Sequence, residues 1–339
     1  MSTNLSSTAY DPELIEGAHN AVFVCLKIQP SEKVTLITDH ASEEIAASLI
    51  AELDNAHCTY NSFVLEDLAP RPLRDMPDVV LHDLATSNVS IFAVKAQPNE
   101  LRTRMQMCEV VNRNKLRHAH MVNIEKKIML EGMRADFRKV DELTKRVMAI
   151  ARTARRIRAT TPAGTDITAD LTQDYQWIPT SGIISRDKWG NLPGGETFTA
   201  PQEVNGTFVV DGVVGDYLCG KYGDLQQTPL TLEVRRNRLV SARCDNKELE
   251  REFWEYTHRD ENSDRVGEFA IGTNLAVHEV VGNILQDEKI PGVHMAFGDP
   301  YGLHTGAQWT STTHIDVVGR NFNIWADDRQ IMKNGRFLV

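Results

Sequence analysis

The sequence predicts an α/β N-terminal domain with a mainly parallel sheet, followed by a β-rich α+β domain. Three observations carry that expectation. Strand-like and helix-like segments alternate through the first half, a long helical pattern closes on an arginine cluster near residue 158, and Gly and Pro punctuate short β-branched runs beyond it.

Val34–Thr38 (VTLIT) is a short apolar, β-branched run of strand type. Ser42-Glu43-Glu44 opens a helix in which Ile45, Ala46, Leu49, Ile50 and Leu53 recur at helical spacing. Tyr60–Leu65, Val79–Leu81 and Ile91–Val94 read as further strands. Leu101–Leu116 reads as a helix and Met121–Ile124 as the next strand. Alternation of this kind implies right-handed crossovers between parallel strands. From Glu125 to Arg156 the apolar positions Ile128, Met129, Met133, Phe137, Val140, Leu143, Val147 and Ile150 predict one long amphipathic helix. Arg152, Arg155, Arg156 and Arg158 suit its C-terminal end. The turn-rich Thr160–Asp166 segment then changes the texture, so the sequence divides into residues 1–158 and 159–339. Phe208–Val210, Leu230–Val234 and Ile315–Val318 are strand candidates of the second part.

With 339 residues, 41% hydrophobic and 25% charged, the composition is that of a globular chain. Lys and Arg total 37 against 47 Asp and Glu, a formal net charge of −10. Nucleic acid and anionic membranes both reward a basic surface, so neither is an expected partner. The first 158 residues are neutral and the remainder carries the whole acidic excess. Five widely spaced cysteines without a CxxC argue for a reducing compartment and against a disulfide framework. No apolar run approaches the roughly 20 residues of a membrane helix, and the first residues lack the pattern of a secretion signal. The expectation is a soluble, cytoplasmic protein.

Several apparent motifs fail on inspection. No G-x-G-x-x-G, P-loop or G-x-S-x-G occurs. His278-Glu279-Val280-Val281-Gly282 begins like a zinc-peptidase helix, but Gly282 stands where the second histidine must be. His118-Ala119-His120 could present two imidazoles on one strand face, yet with no acidic partner nearby it reads as a surface or packing pair. What remains lies in the second half. His314-Ile315-Asp316 sets two metal-competent side chains at i and i+2, on one strand face about 7 Å apart. Glu268 sits in an apolar stretch where a lone carboxylate is costly unless paired or metal-bound. His294 has an equally apolar setting with Tyr301 seven residues on, and Glu196 follows the turn Asn191–Gly195. Spacing alone does not bring these residues together.

The run Trp189-Gly190-Asn191-Leu192-Pro193-Gly194-Gly195-Glu196-Thr197-Phe198-Thr199-Ala200-Pro201 resembles the asparagine-leucine-proline, glutamate, phenylalanine-threonine segment of the aminopeptidase T/AmpS metallopeptidases. Gly267-Glu268, His294 with Tyr301, and His314-x-Asp316 follow in the same order, and Ile157–Asp166 looks like that family's entry into its second domain. The resemblance implies that Glu196, Glu268, His294, His314 and Asp316 converge on one metal centre, with Tyr301 beside it. It implies a homodimeric metal-dependent hydrolase that activates water against a small amine- or amide-bearing substrate, either a short peptide or an amino-aromatic compound. Glu268 (or Glu196) is the expected proton acceptor and Tyr301 the expected donor to developing negative charge. His304 and Arg186 are lesser candidates for substrate recognition. Where these aminopeptidases carry a further metal-binding glutamate five residues before the histidine, this chain has Lys289, next to Glu288. One or two divalent ions per chain are therefore open, with manganese, zinc or cobalt suited to the carboxylate-rich set. Length and the tail Arg320–Asp328 also resemble divergent relatives, 5-nitroanthranilate aminohydrolase and the iron(II) enzyme 2,5-dihydroxypyridine 5,6-dioxygenase. The latter type, a ring-cleaving dioxygenase, is the alternative expectation.

Overall fold

The computed structural model describes residues 2–187 and 190–339, so Trp189 of the run above lies outside the described residues. The chain forms two compact units, one of residues 1–138 and 182–194, the other of 139–181 and 195–339.

The first unit carries a five-stranded parallel sheet. Its order is Thr59–Val64, Lys33–Thr38, Val89–Ala93, Arg117–His120 and the short Gly190–Asn191. Val89–Ala93 is buried at every position, as a strand covered on both faces requires. The helix Glu43–Asn55 follows an Asp39 side chain that caps the Ser42 N–H, and two glutamates occupy its first turn. Ile37, Phe92, Val80, Leu84, Met107 and Val111 pack into one core.

Three expectations for this half need correction. Val79–Leu81 is helical, within Asp78–Ala85, because Val80 and Leu84 stand one turn apart and both are buried. The strand expected at Met121–Ile124 lies earlier, at Arg117–His120, and Asn123 with φ 59° turns the chain away from extension. The helical pattern from Glu125 is not one helix. It breaks after Lys126–Leu130, passes a 3-10 turn at Gly132–Arg134, and restarts at Phe137–Ala151 behind Asp136, whose carboxylate accepts the Arg138 N–H. The His118–His120 pair is internal. Ser90 Oγ and His118 Nδ1 are 2.8 Å apart, the two imidazoles are 3.1 Å apart, and His120 stacks on Phe92. Burial pushes the His118 imidazole down to about 3.

The second unit is strand-rich. An eight-stranded antiparallel sheet includes Arg156–Thr160, Asp166–Asp170, Glu203–Val210, Leu230–Arg235 and Arg238–Arg243. A five-stranded antiparallel sheet runs in the order His314–Val318, Gly292–Gly298, Val266–Gly272, Glu196–Thr199, Ile178–Pro179. One hydrophobic core joins them, with Phe208, Leu230 and Leu232 from the larger sheet against Phe269, Met295, Phe297 and Val317 from the smaller. Residue 158, where the composition changes, falls inside the strand Arg156–Thr160. The packing divides earlier because Leu143, Val147 and Ala151 of the preceding helix belong to this second core. No described helix is long and apolar enough to cross a membrane.

Candidate metal centre

The period of two in a strand sorts the smaller sheet into an apolar face and a polar one. Phe269 and Ile271, Val293, Met295 and Phe297, and Ile315 and Val317 go to the core. Their neighbours Glu268, His294, His314 and Asp316 therefore share the opposite face, where Glu196 joins them. A register shift between Val266 and Glu268 sets the glutamate's position. Gly267 permits it, since a Cβ there would meet the Gly298 carbonyl oxygen at 2.6 Å.

Register then determines the hollow. Ala296 pairs with Glu268 on one side and Asp316 on the other, and Ala270 pairs with both Phe198 and His294. Gly272 pairs with Glu196. Ala270, Gly272 and Ala296 leave room between the long side chains, with Phe198 and Val318 standing in the same row as His294, so the acidic and imidazole groups converge over a floor of mostly small residues.

The five side chains form a continuous series. Glu196 Oε2 lies 3.3 Å from His294 Nε2, which lies 3.5 Å from Glu268 Oε1. Glu268 Oε2 lies 3.8 Å from His314 Nε2, itself 3.6 Å from Asp316 Oδ1. Donors held at about 2.0–2.2 Å around one cation stand roughly 3–3.5 Å apart, so the Glu196–His294–Glu268 spacing suits such an ion. Glu196, Glu268 and His294 offer ligand atoms within 4.8 Å of one another, as do Glu288, His294 and Asp316. Glu196 Oε2 and His294 Nε2 are buried without a hydrogen-bond partner, a costly arrangement that a cation between them would resolve. His314 is oriented for the same purpose. Its Nδ1–H donates to the Asp299 carbonyl at 2.9 Å, leaving Nε2 as the lone-pair donor towards Asp316. The residues present fit a divalent metal.

Glu196 Oε1, by contrast, is taken. Thr180 Oγ1 and Lys289 Nζ both donate to it at 2.7 Å. Lys289 also donates to Glu288 Oε1, and only 1% of its side chain is exposed. Gly272 lets this segment approach, because a Cβ there would lie 2.1 Å from the Ile290 carbonyl oxygen.

The electrostatics follow. Burial would raise the Glu196 carboxyl, but the Lys289 ammonium and His294 hold it well below the usual carboxylate range. Glu268 has no such lysine, so burial raises it, assisted by the Asp316 and Glu196 charges. Burial pushes Glu288 up to about 8 against the pull of Lys289. Burial opposes the charged form of Lys289 too, yet Glu196 and Glu288 keep the ammonium above its ordinary value. For His294 and His314 burial opposes the imidazolium as well. Glu196 and Glu268 for the first, and Asp316 and Glu268 for the second, raise each to about 10 when no cation is bound.

Tyr301 sits beside the cluster, its ring 4.5 Å from that of His314 and 6.1 Å from that of Phe198. Desolvation, then the Glu268 and Asp316 charges, keep its phenol protonated, a hydrogen-bond donor. The residue is otherwise 43% exposed and adopts φ 51° at the head of the short turn Gly302–Thr305. The two lesser candidates are not drawn in. His304 is exposed on that turn, and Arg186 is exposed in the first unit. Among the described residues no hydrogen bond or ion pair joins His304 to the five. Glu288 is a donor with no signal of its own in the sequence, for next to Lys289 nothing shows which way it points.

A family description of thermophilic metalloproteases (M29) matches residues 131–337, more than half of the sequence. The chain belongs to that thermophilic metalloprotease family. The match takes in all five convergent residues and Tyr301. Two solved structures share the fold across nearly their whole length. AmpT from Thermus thermophilus is 16% identical with a TM-score of 0.71, covering 98% of this chain and 100% of its own. The 2,5-dihydroxypyridine dioxygenase of Pseudomonas putida KT2440 is 14% identical with a TM-score of 0.68, covering 96% of each chain. No curated protein matches the sequence. The α/β unit with its parallel sheet and the strand-rich second unit are those expected of the family.

Proposed function

We propose that this metalloprotease-family member is a metal-dependent hydrolase that releases an amine from a small substrate, a short peptide or an amino-aromatic compound. The observation that carries the reading is the convergence of Glu196, Glu268, His294, His314 and Asp316 on one sheet face, with buried Glu196 Oε2 and His294 Nε2 3.3 Å apart and without a hydrogen bond. Glu196, Glu268 and His294 would hold the ion, with His314 and Asp316 completing its surroundings. A divalent cation bound there supplies Lewis acidity and lowers the pKa of water towards ~7.

The protein's own groups do the remaining work. Glu268, set between His294 and His314 at the centre, accepts the proton of the attacking water and returns it to the leaving nitrogen. Tyr301, kept protonated, donates a hydrogen bond to the oxygen that gains charge at the reacting carbon. Lys289 holds Glu196 in a single orientation. Three carboxylates among the five favour hydrolysis over oxygen chemistry, for which two histidines and one carboxylate with open positions are the usual set. As part of this proposal the enzyme acts as a cytoplasmic homodimer.

The deciding experiment strips the protein with chelator, restores manganese, zinc, cobalt or iron(II) separately, and follows amine release from short peptides and aminoaryl amides under nitrogen. Anaerobic, metal-dependent release is the expected result. Stoichiometric oxygen uptake with ring cleavage would overturn it. His314→Ala and Asp316→Ala should lose bound metal and activity together while keeping the far-UV circular dichroism of the parent, and full activity in either would refute the site.

A further inference from the structure

We infer that the centre takes one divalent cation per chain, and that the Lys289 ammonium permanently fills the place a second would need. The inference rests on the metal-dependent reading above and goes beyond it by fixing how many ions that site accepts.

Two groups of potential ligands exist here, Glu196–Glu268–His294 and Glu288–His294–Asp316. At first sight they offer two cation positions. Three features reduce them to one. His294 belongs to both groups, and a neutral imidazole has a single lone pair to give, so it serves one ion at a time. Glu196 has only one oxygen to spare, because Oε1 already accepts from Thr180 and Lys289 while Oε2 faces His294 without a hydrogen bond. Finally, Lys289 Nζ joins a carboxylate of the first group to one of the second, Glu196 Oε1 to Glu288 Oε1. A metal bridging those two oxygens at about 2.0–2.2 Å would have to stand where the ammonium stands.

The lysine is no surface visitor. Its side chain is 1% exposed, its backbone N–H bonds to the Gln286 carbonyl at 2.8 Å, and its own carbonyl accepts the Asn274 N–H at 3.1 Å. A buried ammonium held by Glu196 and Glu288 cannot swing away without leaving its own charge unpaired in a site closed to water. The chain has built a fixed monovalent charge into its own carboxylate cluster.

The test counts metal. The full-length protein, Lys289→Glu and Lys289→Met are equilibrated with manganese(II) alone, dialysed, and assayed for metal per chain, with electron paramagnetic resonance spectra of each. The parent should hold one equivalent with the six-line signal of isolated manganese. Lys289→Glu should hold two, broadened by exchange coupling, because the new carboxylate and the released Glu196 Oε1 and Glu288 complete a second set. Lys289→Met should admit a second ion more weakly. Two equivalents in the parent overturn this inference and leave the metal reading standing, as does one equivalent in both variants when folded. If neither variant folds, the parent's stoichiometry decides by itself. No metal in the parent overturns the metal reading as well.

Discussion

Lys289 donates from Nζ to Glu196 Oε1 at 2.7 Å, on a carboxylate whose other oxygen faces His294 Nε2 at 3.3 Å with no hydrogen bond. One oxygen of Glu196 is thus spent on anchoring and the other is kept for a ligand. The anchoring half has a measurable energy. Glu196→Gln leaves the buried ammonium with Glu288 alone, and breaking a buried pair costs about 3–5 kcal/mol. Thr180→Val removes one neutral donor to the same oxygen and should cost about 1–2 kcal/mol. Urea unfolding of the metal-free proteins should rank them in that order. Equal losses would show that Lys289 contributes no more to Glu196 than a threonine hydroxyl does.

Thr180 also predicts an effect on binding that its stability loss would not. By holding Oε1 it aims Oε2 at the cation position, and partners of this kind are commonly worth 10–100-fold in metal affinity. Thr180→Val should therefore weaken metal binding by about that factor in a competition with chelator, while Thr180→Ser, which keeps the hydroxyl, should restore it.

Proton binding should oppose metal binding at this centre. Without a cation His294 and His314 titrate near 10, raised by their carboxylate neighbours, against an unfolded value of about 6.5. A raised folded pKa means stability fully present below the unfolded value and lost as pH climbs through the folded one. The metal-free protein should accordingly lose thermal stability from about pH 7 to pH 10. The metal-bound protein needs both imidazoles neutral, so its affinity should rise across the same window, with about two protons released per ion. Calorimetry in buffers of different ionisation enthalpy reads that release directly. A pH-independent affinity would remove the histidines from the ligand set.

How much of this was legible in the sequence depends on what each residue is for. Strands such as Lys33–Thr38 and His314–Val318 could be read because their apolar runs are local and continuous. The break of the Glu125–Arg156 pattern was hidden because its apolar spacing continues through Gly132 and Asp136, where the backbone does not. His314 and Asp316 could be placed together from i, i+2 spacing alone. Convergence with Glu196, Glu268 and His294 could not, because it depends on antiparallel register between strands far apart in the chain, and only the family resemblance supplied it. The role of Lys289 was legible only as a missing ligand. That its ammonium bridges Glu196 and Glu288 required the approach of residues 289–290 to Gly272, a backbone packing event with no sequence signature.

The first unit makes an independent prediction through Arg71, whose side chain is 3% exposed. It binds Asp39 Oδ2 at 2.7 Å through one amino group, and Glu100 through Nε at 2.9 Å and the other amino group at 2.5 Å. Burial would raise the Glu100 carboxyl, but Arg71 more than reverses this and holds it below its ordinary value. A depressed folded pKa gives stability that is present above the unfolded value of about 4.3 and lost as pH falls through the folded one. Arg71→Met should destabilise the protein by about 3–5 kcal/mol at pH 7, and by less as pH drops below about 4. Metal content in the folded fraction should be unchanged, since all the proposed ligands lie in the second unit.

Gly272 offers the most direct test of how the floor of the centre is built. It pairs with Glu196 across the sheet, and a Cβ there would lie 2.1 Å from the Ile290 carbonyl oxygen and 3.0 Å from the Lys289 carbonyl carbon. Both are backbone atoms, so the segment itself must move outward, carrying the Lys289 ammonium off Glu196. Gly272→Ala should cost about 1–3 kcal/mol from overpacking, and it should weaken metal binding through the same displacement. Gly220 supplies the contrast. It lies inside the helix Asp216–Tyr222, where an added Cβ would meet nothing within 4 Å, so Gly220→Ala should stabilise by about 0.5–1 kcal/mol and leave metal affinity as it was. If Gly272→Ala proved as benign as Gly220→Ala, the close approach of residues 289–290 would not be what seats Lys289 against Glu196.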